Sequence, residues 1–259
     1  MNQDIDLKTE SIDLFYWKIE HAKDLMREAM IRFPRIAVAC SFGKDSMSVV
    51  DIARKIDPKI PIFAIMTRYK PKETFEYLVK MNKAMDLNVT VYIVADKIPK
   101  ILKDAKVKTI LLPTEEFKKE SAACGKEIYH EKPDLCCNLL KVEPTKVAVK
   151  DLDAWCCGLR NTEGRTRLDY EEIENKGGLF KINPILTFTE EEVLRYLTEN
   201  NIPLHPWYEM EFKDGRHYRS LGCATCTKPI FPEQLERDGR WIDTSKCGGE
   251  CGIHTQRLK

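Results

Sequence analysis

Two cysteine pairs set far apart in the chain place the strongest condition on its fold. Cys136 and Cys137 are adjacent, and Cys223 and Cys226 come much later as C-x-x-C in Leu221-Gly222-Cys223-Ala224-Thr225-Cys226-Thr227. Four soft thiolates are the ligand set of an iron–sulfur cluster or a tetrahedral zinc, so a fold that uses them must bring the two segments together. Structural zinc sites favour a gap of about two to four residues inside each pair, which Cys136-Cys137 lacks. A fifth cysteine, Cys251, stands alone near the C-terminus in Glu250-Cys251-Gly252-Ile253-His254, a placement that suits a mobile nucleophile. Cys156-Cys157, inside Asp153-Ala154-Trp155-Cys156-Cys157-Gly158, read instead as small buried hydrophobes.

Ten cysteines in 259 residues is a high count. No apolar stretch follows Met1-Asn2-Gln3-Asp4, and no run approaches the ~18 apolar residues of a membrane span. These features predict metal or redox chemistry in a reducing cytoplasm rather than a disulfide scaffold or a membrane protein. Lys and Arg number 42 against 41 Asp and Glu, a net charge of +1. That balance argues against bulk nucleic-acid binding and makes any anion site local.

Hydrophobic periodicity predicts the organisation. Phe15, Ile19, Ala22, Met26, Ala29, Met30 and Phe33 recur at helical spacing, and Pro34 ends that helix. Apolar runs at 36–40, 61–66 and 89–94 read as buried strands, with helices after 41–46 and over 72–85 between them. Alternating strands and helices predict an α/β fold with a doubly wound, mostly parallel sheet. A helix over 141–149 and a strand over 152–158 follow, and Thr189-Glu190-Glu191-Glu192 opens a helix with a capping box, its apolar face carried by Val193, Leu194 and Leu197. The stretch 96–135, of mixed charge and broken by Pro113, yields no clear elements. Beyond Pro206 the chain turns irregular and cysteine-bearing. The expected division is a nucleotide-binding α/β body with an N-terminal helix over 1–205, and a cysteine-rich segment with a mobile catalytic tail over 206–259.

The loop Ser41-Phe42-Gly43-Lys44-Asp45-Ser46 lies between a predicted strand and a predicted helix, where backbone amides and the helix dipole favour an anion. Gly43 allows close backbone approach, Ser41 and Ser46 add hydroxyls, and Lys44 adds charge. The Walker spacing is absent.

S-F-G-K-D-S resembles the S-G-G-K-D-S loop of the adenine nucleotide α-hydrolases. From Cys136 the resemblance narrows. Cys136-Cys137-Asn138-Leu139-Leu140-Lys141-Val142-Glu143-Pro144 is similar to the C-C-x-x-x-K-V-E-P segment of the iron–sulfur adenylyl-sulfate reductases. Residues 152–160 resemble their A-W-x-x-G-x-R strand, 222–229 their G-C-x-x-C-T-x-P, Arg237-Asp238-Gly239-Arg240-Trp241 their R-x-G-R-W, and the tail their E-C-G-L-H with Ile253 for Leu. The motifs stand in family order from about residue 36 to the end.

The resemblance implies a 4Fe–4S cluster on Cys136, Cys137, Cys223 and Cys226, and Cys251 as nucleophile. It implies a substrate of adenosine 5′-phosphosulfate or its 3′-phosphorylated relative, an S-sulfocysteine intermediate, thioredoxin or a similar thiol as reductant, and a homodimer. Lys141 is one helical turn beyond Cys137, within reach of cluster and sulfate. Arg160, Arg165 and Arg167 offer planar forks for phosphate and sulfate oxygens, joined by Arg237 and Arg240. His254 is expected as a tail contact or substrate hydrogen-bond donor. Where such enzymes often carry D-T-G, this chain has Met66-Thr67-Arg68-Tyr69-Lys70, whose added charges suit a 3′-phosphate or solvent equally. Cys247 adds a thiol close to Cys251 that could serve as an internal resolving group. The alternatives are an ATP-dependent adenylyltransferase or tRNA-sulfurating enzyme on the same loop, and a zinc-bound interaction module.

Overall fold

The computed structural model describes residues 7–124, 127–246 and 249–259; Cys247 lies outside them. In chain order the elements are α1 (Leu7–Arg32), β1 (Ile36–Ala39), α2 (Lys44–Ile56), β2 (Ile62–Met66), α3 (Lys72–Ala84), β3 (Thr90–Val94), α4 (Lys100–Asp104), β4 (Lys108–Leu112), α5 (Glu115–Ala122), α6 (Ile128–Glu131), α7 (Pro133–Cys137), α8 (Glu143–Val149), β5 (Ala154–Cys156), β6 (Ile173–Asn175), β7 (Phe180–Ile182), α9 (Glu190–Glu199) and α10 (Gly252–Thr255). The seven strands form one sheet in the order β4-β3-β2-β1-β5-β7-β6, parallel throughout except where β6 meets β7. This is the predicted α/β class.

The strands alternate between two helix layers because successive side chains point to opposite faces. Ile36 and Val38 of β1, with Ile62 and Ala64 of β2, pack under α1, α2, α3 and α9. Ala37 and Phe63 face the other way, onto Val142 and Val149 at α8. With both faces covered, the strands are near-continuous apolar runs. The α1 stripe is buried as its spacing predicts, from Phe15 through Ile19, Ala22, Met26 and Ala29 to Phe33. At α9, Thr189 Oγ1 accepts the Glu192 N–H at 3.2 Å and Glu192 Oε2 accepts the Thr189 N–H at 2.7 Å, which is the capping box read from the sequence.

Three strands were not legible, nor were the short helices α4 to α7, which begin within 96–135. β4, Lys-Thr-Ile-Leu-Leu, is an edge strand with no fully buried residue, so its pattern is weak. β6 and β7 are only three residues each, joined through Gly177 and Gly178 at φ 74° and 89°. The helix expected over 141–149 begins earlier: α7 runs into a π-helical turn, Asn138–Val142, and then into α8. Single π turns inside helices recur at functional sites, and this one directly follows Cys136 and Cys137.

Candidate active site

A cavity of about 190 Å³ opens at the carboxyl ends of β1, β2 and β5. β1 is flanked by β2 on one side and β5 on the other, so chain order reverses there; that crevice is where ligands bind in open α/β sheets. Ser41, Gly43 and Ser46 line one end, and Lys141, Arg240 and Cys251 line the other. Gly158, in the loop after β5, lies so close to the start of α2 that a Cβ there would come within 2.6 Å of the Ser46 nitrogen. Only glycine permits that approach.

The two cysteine pairs meet at the far end. Cys136 and Cys137 close α7, while Cys223 precedes and Cys226 ends a single 3₁₀ turn, Ala224–Cys226. All four are buried. Cys223 and Cys226 pack with Trp241, Tyr69 and Cys251. Tyr69 packs against both groups, with Cys136 on one side and with Cys223 and Cys226 on the other, which brings the pairs to one place. Thr67 Oγ1 lies 3.2 Å from Cys223 Sγ, and Ala224 N–H donates to Tyr69 O at 2.7 Å. Among the described residues, the group of three potential ligands that closes to within 4.8 Å is Asp45, Glu163 and Glu236, and those carboxylates are taken up by Lys44, Arg160 and Arg167. Among the described residues the four thiols form no group of three that closes to that distance. One zinc at ~2.3 Å from four sulfurs would draw them to roughly 3.8 Å, so the donor set fits a multi-iron cluster better than a single ion.

Cys251 is brought to this group. It packs with Cys223, Cys226 and Trp241; while Cys137 is protonated, that thiol first, then Lys141 and the Ile253 N–H, hold the Cys251 thiol below its ordinary value against burial. Burial pulls the Lys141 ammonium down, but Cys223, Cys251 and Cys137 outweigh it and keep the lysine charged. A lowered thiol beside a fixed cation is the environment of a reactive cysteine. The preceding Glu250 anchors the tail: its carboxylate accepts Arg167 Nε at 2.7 Å, Arg237 Nη2 at 3.0 Å and the Cys251 N–H at 2.8 Å. His254 lines the cavity with its ring stacked at 6.3 Å over Trp155, and its buried Nδ1 has no hydrogen-bond partner among the described residues. Burial, then Lys181 and Arg167, keep that ring neutral.

Of the expected substrate contacts, Ser41, Gly43, Ser46, Arg167, Arg237 and Arg240 line the cavity with Lys141, Cys251 and His254. Four others do not. Phe42 is fully buried against Tyr77, so its side chain cannot meet a ligand. Lys44 is turned inside, with Nζ 2.5 Å from Glu236 Oε1 and 2.8 Å from Arg219 O. Arg160 has no exposed surface and forks onto Glu236 at 2.7 and 2.6 Å, with Nε on Asp45 at 2.6 Å. Their reach is spent on carboxylates that the folded chain buries beside them. Arg165 is exposed and lies away from the cavity.

Sequence reasoning missed Tyr208 and Thr67, and left the charge of Lys70 open between a 3′-phosphate and solvent. Tyr208 lies over the loop, its hydroxyl accepting the Lys44 N–H at 3.3 Å. Thr67 and Lys70 come from the atypical loop after β2; Thr67 touches Cys223 and Lys70 lines the cavity. The missing D-T-G obscured them, although Thr67 itself is retained.

Residues 35–229 match the model of the phosphoadenosine phosphosulfate reductase domain. The chain is 29% identical to adenosine 5′-phosphosulfate reductase of Halalkalibacterium halodurans over 98% of its own length and 95% of the relative's. It is 30% identical to adenosine 5′-phosphosulfate reductase 2 of Bacillus subtilis, covering 86% and 84%. Among solved structures it resembles phosphoadenylyl-sulfate reductase from Candida auris in its phosphate complex, with TM-score 0.60 and 22% identity over 81% of this chain and 90% of that one. FMN adenylyltransferase of Candida glabrata shares the fold at TM-score 0.57 and 14% identity, over 91% and 73%. A match over residues 35–229, most of the chain, makes it a member of the phosphoadenosine phosphosulfate reductase domain family.

Proposed function

We propose that this chain is a thiol-dependent adenylyl-sulfate reductase of sulfate assimilation, acting on adenosine 5′-phosphosulfate. The observation that carries it is that Cys251, packed against Cys223 and Cys226, lines with Lys141 one end of a cavity whose other end is the loop 41–46. In this reading residues 1–205 form the nucleotide-binding body, and 206–259 form the segment that brings Cys223, Cys226 and Cys251 to it. The curated relatives named above are adenosine 5′-phosphosulfate reductases, which favours the substrate without a 3′-phosphate.

The chain's own residues account for the steps. Ser41, Gly43 and Ser46 hold the nucleotide phosphate at the start of α2. Lys141 and Arg240 neutralise the sulfonate so that a thiolate can approach it. Cys251 Sγ attacks the sulfur, the bond to the bridging oxygen breaks, and that oxygen leaves on adenosine 5′-monophosphate with the electron pair. A second thiolate, from thioredoxin or a similar donor in the cytoplasm, attacks Cys251 Sγ and expels sulfite, leaving a disulfide. Cys136, Cys137, Cys223 and Cys226 would hold a 4Fe–4S cluster. Held by these residues, such a cluster would tie the two cysteine segments together and would supply fixed charge to the cysteine end of the site.

The test is turnover of adenosine 5′-phosphosulfate by anaerobically purified protein with thioredoxin and no ATP. Sulfite and adenosine 5′-monophosphate are expected in equal amounts from wild type, and neither from Cys251→Ser. Turnover that requires ATP would return the chain to the adenylyltransferase reading.

A further inference from the structure

The cations that line the cavity divide by what they are bonded to. Arg167 is committed to Glu163 and Glu250, and Arg237 to Glu250. Among the described residues Arg240 donates to neutral oxygens, those of Cys226, Leu221 and Ser220. Lys70 and Lys141 have no carboxylate partner among the described residues, although both line the cavity. An unpaired ammonium beside two other cations is unfavourable unless an anion joins them.

The position of Lys70 says which anion. Lys70 lines the cavity together with Cys40 and Ser41, and its own loop touches the cysteine end, where Thr67 Oγ1 lies 3.2 Å from Cys223 Sγ and Tyr69 O accepts the Ala224 N–H at 2.7 Å. Cys40 directly precedes Ser41, and Cys223 belongs to the cysteine end. Lys70 therefore stands between the phosphate end of the cavity and the sulfonate end. Its backbone is fixed there: Lys70 N–H donates to Thr67 O at 3.1 Å, Thr67 is held against Cys223, and Pro71 caps α3.

We propose that Lys70 is a catalytic residue that binds the phosphate–sulfonate bridge and stabilises the leaving phosphate. This rests on the reading of the cavity as an adenylyl sulfate site. As Cys251 Sγ bonds to sulfur, the sulfur–oxygen bond breaks and its electron pair stays on the bridging oxygen. The phosphate passes from a monoanion to a dianion, and no oxidant or proton is consumed. The new charge appears midway along the cavity, where Lys70 is the cation provided by the loop after β2. A fixed cation aimed at developing charge acts on the transition state more than on the ground state.

The experiment uses the iron-loaded full chain with Lys70→Gln and Lys70→Arg, and two readouts. The first is the single-turnover rate of S-sulfonate formation on Cys251 without reductant. Lys70→Gln should slow it about 100-fold, and Lys70→Arg should recover much of that loss. The second is binding of adenosine 5′-monophosphate against adenosine; Lys70→Gln should weaken the monophosphate about tenfold or more and leave adenosine unchanged. Wild-type rates with unchanged monophosphate affinity would overturn the proposal. So would loss of iron or an altered cluster spectrum with monophosphate affinity intact, which would make the lysine a counter-charge to the cysteine site. If wild type forms no S-sulfonate, the reductase reading fails, and the binding comparison alone still decides whether Lys70 meets the phosphate.

Discussion

Arg167 donates its Nε–H to Glu250 at 2.7 Å, and Glu250 is the residue directly before Cys251. The same carboxylate accepts from Arg237 and from the Cys251 backbone, so one side chain fixes the approach of the nucleophile. Charge-assisted bonds of this kind are worth about 1.5–3 kcal/mol each. Glu250→Gln should release the tail. The expected results are faster alkylation of Cys251 by iodoacetamide, at least tenfold slower S-sulfonate formation, and unchanged binding of adenosine. Unchanged alkylation together with unchanged rate would show that the tail is held by other contacts.

Lys44 is predicted to matter for stability rather than for phosphate. Its ammonium is enclosed with Glu236, Asp45 and Arg160, and removing one member leaves buried charge uncompensated, a loss of about 3–5 kcal/mol. Lys44→Met should lower the denaturant midpoint markedly. Whatever remains folded should lose affinity for adenosine 5′-monophosphate and for adenosine alike. A fully stable variant with a selective loss of monophosphate would put the lysine back on the phosphate.

The contrast between Lys44 and its own loop shows what was legible. A strand, a tight turn and a helix start are local, and residues 36–56 announce them through an apolar run, Gly43 and a new period. The direction of a long side chain is not local. Lys44 turns inward because Glu236, from the far end of the chain, is waiting there. Arg160 turns inward for the same reason. Phe42 is the opposite case: at φ 61° it occupies a backbone region that disfavours a bulky residue by roughly 1–2 kcal/mol, and full burial against Tyr77 offsets that. The cysteine site was readable because its chemistry demands that distant pairs meet. The Lys70 position was not, because the loop after β2 lacks the pattern that would have marked it.

The cysteines can be separated by role. Cys136→Ser and Cys223→Ser should each lose iron, sulfide and activity together, since each removes one donor from a shared set. Cys156 lies fully buried on β5 in the apolar core, so Cys156→Ser should retain the iron and lose stability instead. Elemental analysis and visible absorption of anaerobically purified proteins check both. Zinc without sulfide in wild type would exclude the cluster.

The last prediction concerns acid. His205 is 2% exposed and joins two elements around the cavity. Its Nδ1 accepts the Trp207 N–H at 3.1 Å, so the neutral ring carries its proton on Nε2, which donates to Thr74 Oγ1 at 3.0 Å. A second proton on Nδ1 would face the Trp207 N–H donor to donor. Burial first, and then the charge of Lys70, lower this histidine from 6.5 to about 4. The unfolded chain takes up that proton below pH 6.5, while the folded chain resists it until about 4. The contribution is therefore complete above pH 6.5 and is lost as pH falls from 6.5 towards 4, amounting to about 3 kcal/mol at most. Because His205 ties the Pro206–Glu209 turn to α3, and that turn places Tyr208 over the loop 41–46, nucleotide binding should decline over the same window. Urea unfolding at pH 7.5, 6.0 and 5.0 checks the first effect. His205→Gln keeps an amide donor without a titrating group, and should be weaker at neutral pH but flatter towards acid. Parallel slopes in wild type and variant would assign the acid sensitivity to other groups.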